Sequence, residues 1–112
     1  MEDRLYKSEL LTVYGDFLTG RQRKCLELAL WEDFSLAEIA DELKITRQAA
    51  HDAIKRGERA IEKYELALGV YGLRQKLAQV EQRLTGLLPA LTKDPGVQTK
   101  LQREIVELRN CS

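Results

Sequence analysis

Apolar residues recur at helical spacing along most of this chain, and polar residues fill the positions between them. Residues 3–14, 19–31, 35–43 and 46–67 each place their apolar side chains on one face, which is the pattern of an amphipathic helix. Proline occurs only after residue 88, so no proline interrupts the earlier helices. The pattern therefore predicts an all-α protein.

Two of these helices lie close together in the middle of the chain. Ser35 and Glu38 form an S-x-x-E capping box, and Thr46 is placed to cap the next helix. The turn between them is Lys44–Ile45, and Lys44 takes the position where such turns often have a left-handed glycine or asparagine. The arrangement predicts a helix-turn-helix, within a domain spanning residues 1–66.

The remaining residues, 67–112, have a different pattern and are predicted to form a helical arm. Apolar residues there are spaced alternately by four and three, as in the a/d seam of a coiled coil. The seam consists of Leu66, Val70, Leu73, Leu77, Val80, Leu84, Leu87 and Leu91.

The seam has two interpretations. A last helix, roughly 97–109, could fold back on it as a hairpin, or the seam could join two copies of the chain, and a homodimer is favoured. Pro89 predicts that the long helix ends near residues 85–88, and the segment 92–96 predicts a break before the last helix.

The outer face of the helix that begins after Thr46 carries the candidate functional residues. Arginine and glutamine have the geometry to bind guanine and adenine edges, and arginines also contact phosphates. The candidates for base contact are Arg47, Gln48, His51 and Lys55, and those for phosphate contact are Thr46, Arg56 and Arg59. The alternative is a solvated face on which Asp52, Glu58 and Glu62 pair with these cations.

The charge balance restricts how large a nucleic-acid surface could be. The chain has 18 basic and 18 acidic residues, whereas nucleic-acid-binding proteins usually have a basic surface. Residues 46–63 have five basic and three acidic residues, and residues 66–112 have seven and four. Any basic surface is therefore local.

The sequence contains no pattern typical of an active site. It has no glycine-rich phosphate loop, no His/Cys cluster and no nucleophile motif, so we expect no enzyme activity, metal, cofactor or small-molecule substrate. Cys25 and Cys111 have neither a metal nor a redox spacing and suit a reducing compartment. With no signal peptide at MEDRLYK and no apolar run of ~20 residues, we expect a cytoplasmic protein without a membrane span.

The helix-turn-helix region resembles region 4 of bacterial sigma factors and, more closely, the small bacterial YlxM family. The resemblance rests on LT-x-x-Q at 18–22, LEL at 26–28, WEDFSLAEIAD at 31–41 and TRQAAHDAIKR at 46–56, followed by Glu62, Tyr64 and Glu65. It covers about residues 1–70, and the arm matches only in helical character.

The resemblance implies a function in binding. The YlxM family is linked to the signal recognition particle because its genes lie beside those of the particle's GTPases. The resemblance therefore implies a regulatory accessory protein in the protein-targeting pathway, which contacts the RNA or the GTPase of the particle. The family has no known catalytic residues, so the resemblance implies none in this chain. The alternatives are a sequence-specific DNA-binding transcription regulator and a protein-interaction module.

Overall fold

A computed structural model of the chain describes residues 2–110, which are mostly helical and contain no strand. The α-helices are α1 (Glu2–Tyr14), α2 (Gly20–Leu26), α3 (Leu36–Leu43), α4 (Arg47–Leu68), α5 (Val70–Leu91) and α6 (Pro95–Asn110). The all-α prediction is confirmed. The chain divides into two compact units after Tyr71, whereas the sequence placed the boundary after residue 66.

Three helix starts lie where the sequence predicts them, and each is capped by a hydroxyl side chain. The Ser35 hydroxyl accepts from the Glu38 N–H at 3.2 Å, and the Glu38 carboxylate accepts from the Ser35 N–H at 2.9 Å. Thr19 and Gln22 form a second capping box at the start of α2. The Thr46 hydroxyl accepts from the Ala49 N–H at 3.0 Å. These bonds satisfy backbone donors that the first helical turn leaves without partners.

The helix predicted over residues 19–31 is helical throughout but changes form. The α-helix ends at Leu26, and residues Glu27–Trp31 form a wider π-helical turn. Just beyond it, the Phe34 N–H donates to the Leu28 carbonyl at 2.9 Å. The wider turn keeps Leu28 in the core and leaves Trp31 45% exposed.

The core of the first unit consists of two apolar clusters, and α4 contributes to both. In the first cluster, Leu10, Leu11 and Tyr14 of α1 pack with Leu26 of α2 and Ile61 of α4. The second cluster contains Cys25, Leu28, Ile39, Ala50 and Ala53. Because α4 packs against α1, α2 and α3, its inner face is buried and its outer face is held in a fixed position.

The helix-turn-helix consists of α3, a three-residue turn and α4. Lys44 ends α3 in the left-handed conformation, with φ 57° and ψ 46°, as the sequence pattern predicts. This reversal lets the Ile45 N–H donate to the Ala40 carbonyl at 3.0 Å. Ala40 and Ala50 are both buried, and their small side chains let the two helices approach closely.

A break at Gly69 separates α4 from α5. Gly69 has a φ of 63°, which ends α4 in the left-handed conformation favoured by glycine. Leu66 therefore lies on α4, whereas the other seam residues lie on α5. The continuous seam predicted from residue 66 is wrong at this point, because a helix cannot pass through a left-handed residue.

In the second unit, Pro89 lies within α5, and the predicted helix end near residues 85–88 is wrong. Pro89 falls in the last turn, where it removes one backbone donor while the Thr92 N–H still donates to the Leu88 carbonyl at 3.0 Å. The last helix begins at Pro95, two residues earlier than predicted. Asp94 is its N-cap and accepts from the Gly96 N–H at 2.8 Å, and Pro95 takes the first helical position, which tolerates proline.

Candidate nucleic-acid interface

The residues that α4 buries in the core determine which side of this helix is exposed. Ala50, Ala53, Gly57 and Ile61 are buried, so the opposite side of the helix is exposed to solvent. Every candidate residue predicted from the sequence is exposed on α4 or at its start. We call Arg47, Gln48, His51, Asp52, Lys55, Arg56 and Arg59 the α4 outer face.

Thr46 has a structural role that the sequence also predicted. Its hydroxyl oxygen accepts the Ala49 N–H and so caps α4. The hydroxyl proton is not used in that bond, so Thr46 can still donate to a phosphate oxygen. Thr46 therefore lies at the start of the outer face and fixes where it begins.

Asp52 contacts two neighbouring side chains of the outer face, Gln48 and His51. Its Oδ1 accepts from the Gln48 amide at 2.9 Å and lies 3.7 Å from Nδ1 of His51. The carboxylate thus holds the glutamine amide along the helix. For Gln48 to bind an adenine edge, this exposed hydrogen bond would have to break, which costs little at a solvated position.

Lys55 is partly neutralised by a neighbour. Its ammonium lies 3.6 Å from Glu58, which also forms a 2.7 Å ion pair with Lys7 of α1. The Glu58 carboxylate raises the pKa of Lys7 because it stabilises the charged ammonium. Since Glu58 and Lys7 are largely buried, this acid stabilises the packing of α1 on α4 and does not lie on the outer face.

Three arginines provide the positive charge of the outer face. Among residues 2–110, Arg47, Arg56 and Arg59 form no ion pair with an acidic side chain. They occur at both ends of the outer face, which includes the acid Asp52, and the exposed Glu62 follows Arg59 on the same helix. The solvated-face alternative pairs the cations of α4 with Asp52, Glu58 and Glu62. The structure places His51 near Asp52 and Lys55 near Glu58, whereas the three arginines have no such contact among residues 2–110.

A cleft extends this surface towards α2. It has a volume of about 360 Å³ and is lined by Arg21 and Gln22 of α2 and by Asp52 and Arg56 of α4, together with Thr19, Ala49 and Ala53. Arg21 is exposed and, within the described residues, forms no ion pair. The sequence did not identify Arg21 as a site residue, because only the packing of α2 against α4 brings it beside Arg56.

Metal binding and thiol reactivity are two further kinds of chemistry to consider among the described residues. No group of three or more His, Cys, Asp or Glu side chains among them could hold a metal ion. Cys25 is buried, and burial raises the pKa of its thiol. The thiol therefore stays protonated, which is its less reactive form. Cys111 lies outside the described residues. Between residues 2 and 110, none of the helices has the length and apolar character that a membrane span requires.

Comparison with known proteins identifies the family. Residues 1–104 match the family UPF0122, described as "Putative helix-turn-helix protein, YlxM / p13 like". A UPF0122 protein of Listeria monocytogenes is 36% identical over 101 residues, covering 90% of this chain and 89% of the relative. One from Exiguobacterium sibiricum is 45% identical over 74 residues, covering 66% and 64%. A relative from Halalkalibacterium halodurans is 38% identical over 84 residues, covering 75% and 77%. The chain therefore belongs to the UPF0122 family of helix-turn-helix proteins.

Proposed function

We propose that this protein is a regulatory accessory protein of the signal recognition particle pathway, and that it binds the particle's RNA through the α4 outer face. The observation that carries the RNA-binding part is the set of three α4 arginines that form no ion pair among residues 2–110, on a helix whose inner face is buried in the core. The link to the particle rests on the resemblance to the YlxM family. In this proposal the protein acts by binding and has no catalytic step.

The chemistry of the face suits a phosphate backbone. Arginine binds phosphate oxygens through two parallel N–H donors, and an arginine without an internal partner loses no ion pair on binding. Arg21 and Arg56 border one cleft, so they could contact neighbouring phosphates. With Arg47 and Arg59, four arginines are available for backbone contacts.

The same geometry limits the affinity. The whole chain has a formal net charge of zero, so long-range attraction to RNA is weak and binding depends on these local contacts. Releasing about four counterions gives a log–log salt slope of roughly −3 to −4. A much steeper slope would require basic residues outside this surface.

Duplex DNA is the second candidate target, and the position of two residues favours it. Arg47 and Gln48 are exposed in the first turn of α4, where recognition helices contact base edges in the major groove. Both residues have the bidentate geometry for base recognition. In this alternative the protein is a sequence-specific transcription regulator.

A salt-titrated binding assay tests the proposal. Fluorescence anisotropy would compare the particle's RNA with a structured RNA of equal length, a mixed-sequence DNA duplex and the particle's GTPase. We expect tighter binding to the particle's RNA than to the other nucleic acids. Equal affinity for both RNAs would overturn the link to the particle, and preference for DNA would support the second candidate.

Matched variants locate the interface. Arg56→Ala and Arg59→Ala should each weaken RNA binding about 3- to 10-fold and reduce the salt slope by about one. The control is Arg83→Ala, which removes an exposed arginine from the second unit and should leave RNA binding unchanged. If all three variants bind like the unmodified protein, RNA does not bind the α4 outer face.

A further inference from the structure

The second unit leaves most of its apolar side chains exposed. Within residues 72–110, Leu88 is the only buried apolar residue. Two stripes stay exposed, Leu73, Val80, Leu84, Leu87 and Leu91 on α5, and Val97, Leu101 and Leu108 on α6. A unit of about 40 residues with so small a core usually needs a further element to be stable.

The hairpin partner α6 does not cover the seam. Residues of both α5 and α6 line one groove of about 830 Å³, so α6 turns back beside α5. From residue 73 onward, the α5 residues with reduced exposure are the stripe Ala78, Glu81, Thr85 and Leu88, spaced by three or four, together with the seam residue Leu77. This stripe lies about 100° around the helix from the seam. The two interpretations of the seam are thus not exclusive, because the hairpin forms on a different face.

Helical geometry places the two exposed stripes on the same side of the hairpin. On α6, the half-buried residues Gln98, Gln102, Ile105 and Val106 define the side that faces α5. The exposed stripe that begins at Val97 is again about 100° away. On each helix the exposed stripe is displaced by about 100° in the same sense from the side that faces the other helix. Because α5 and α6 run in opposite directions, both exposed stripes then lie on one side of the hairpin, and the groove lies on the other side.

We propose that this apolar side is the interface with a second copy of the chain, which would complete a four-helix bundle from two hairpins. We call it the seam face, defined by the eight exposed apolar residues named above. Heptad spacing favours self-pairing, since each a or d side chain fits between four residues of an identical helix.

The size of the seam face fits a dimer. Eight half-exposed Leu and Val side chains present on the order of 400 Å² of apolar surface. The largest apolar patch of a typical monomer is about 300–600 Å² and is often functional, so a patch of this size is large enough for a binding surface. In a standard interface each partner buries ~800 Å², of which somewhat more than half is apolar. The apolar area of the seam face is therefore close to the apolar area that one partner buries. A second copy supplies a surface of this size and spacing.

The test is the molar mass of the full chain in solution, measured by light scattering and sedimentation at micromolar concentration. We expect about twice the 12.8 kDa of one chain. Leu87→Glu and Leu108→Glu, one on each stripe, should each give a monomer. Gln82→Glu is the matched control, because it adds the same charge to α5 at an exposed position outside the seam face and should leave the dimer intact.

Leu91→Glu is a third variant, chosen so that a loss of the dimer is not caused by misfolding. Leu91 is 71% exposed, so its replacement does not disrupt a core. Each variant's helicity would be checked by circular dichroism. A monomeric unmodified protein at 100 µM, a trimer or tetramer, or a dimer that survives the three leucine replacements would overturn the proposal. The mass readout needs no RNA, so its outcome is independent of the proposed function.

Discussion

At the scale of single residues, Lys44 occupies a strained backbone position. A non-glycine residue in the left-handed region costs roughly 1–2 kcal/mol, and Lys44 has a φ of 57°. Lys44→Gly should therefore raise the free energy of unfolding by about 0.5–1 kcal/mol, after allowing for the greater freedom of glycine in the unfolded chain. Urea unfolding would measure the change.

The control for this prediction is Lys63→Gly, which changes an exposed lysine inside α4. Glycine there should lower the free energy of unfolding by about 1 kcal/mol. If both replacements destabilise the protein equally, the backbone at Lys44 is not strained.

Gly57 is needed for the close approach of α4 to α2. A Cβ at this position would lie 2.7 Å from Cδ1 and 3.2 Å from Cγ of Leu26, which is fully buried and has little room to move. Gly57→Ala should therefore lower the free energy of unfolding by about 1–2 kcal/mol, despite the better helix propensity of alanine.

Gly20→Ala is the matched control, because a Cβ there would have no atom within 4 Å. We expect it to be neutral or slightly stabilising in the same urea titration. An increase in stability for Gly57→Ala would contradict the packing argument.

At the scale of elements, a buried hydrogen-bond network joins α1 to the junction of α4 and α5. The Tyr14 hydroxyl donates to the Glu65 carboxylate and accepts from the Val70 N–H at 3.1 Å. The same carboxylate oxygen accepts from the Tyr71 N–H at 3.0 Å. These bonds hold Val70 and Tyr71, the last two residues of the first unit, in place immediately after the break at Gly69.

Tyr14→Phe should lower the free energy of unfolding by about 1–3 kcal/mol, since it removes the acceptor of the partly buried Val70 N–H and one donor to Glu65. Amide hydrogen exchange at Val70 should speed up, because its acceptor is lost. The control is Tyr6→Phe, which removes a hydroxyl from a partly exposed ring. Unchanged exchange at Val70 would show that the hydroxyl does not hold the start of α5.

The network also predicts sensitivity to high pH. A hydrogen bond to Glu9, together with burial, raises the pKa of Tyr71 from 10.0 to about 12. Burial, followed by the bond to Glu65, raises the pKa of Tyr14. Because the neutral phenols are favoured in the fold, their contribution is complete below pH 10 and is lost as pH rises towards 12.

Chemical denaturation at pH 9, 10, 11 and 12 would measure this loss. Tyr71→Phe should make the decline between pH 10 and 12 shallower than in the unmodified protein. An identical pH profile for the two proteins would rule out Tyr71 as a source of the decline.

At the scale of the whole molecule, the two units differ in how much core each contains. Every buried apolar residue among the described residues except Leu88 belongs to the first unit. A chain ending at residue 76 should therefore fold into a helical unit with a cooperative thermal transition, remain monomeric and keep the α4 outer face.

Circular dichroism melting and light scattering would check this prediction. A gradual, non-cooperative melt of the shortened chain would show that the first unit requires residues beyond 76. Dimerisation of the shortened chain would place the interface outside the seam face.

The sequence by itself determined the features that depend on local interactions. The three caps, the left-handed turn at Lys44 and the exposed position of Arg47, Arg56 and Arg59 all follow from neighbours within about four residues. Helix periodicity then identified the buried face of α4, and with it the candidate site. Such features are predictable because the interacting groups are close in the chain.

Only the tertiary structure decided what depends on distant contacts. Packing of α2 against α4 brings Arg21 beside Arg56, and burial with Lys7 removes Glu58 from the outer face. The break at Gly69 and the continuation of α5 through Pro89 also differ from the predicted pattern. Gly69 adopts the left-handed conformation that ends α4, and Pro89 falls in the last turn of α5, where it removes only one backbone donor. The hairpin likewise leaves most of the seam exposed, since the residues of α5 that line the groove with α6 lie on a different face, a choice that spacing alone does not specify.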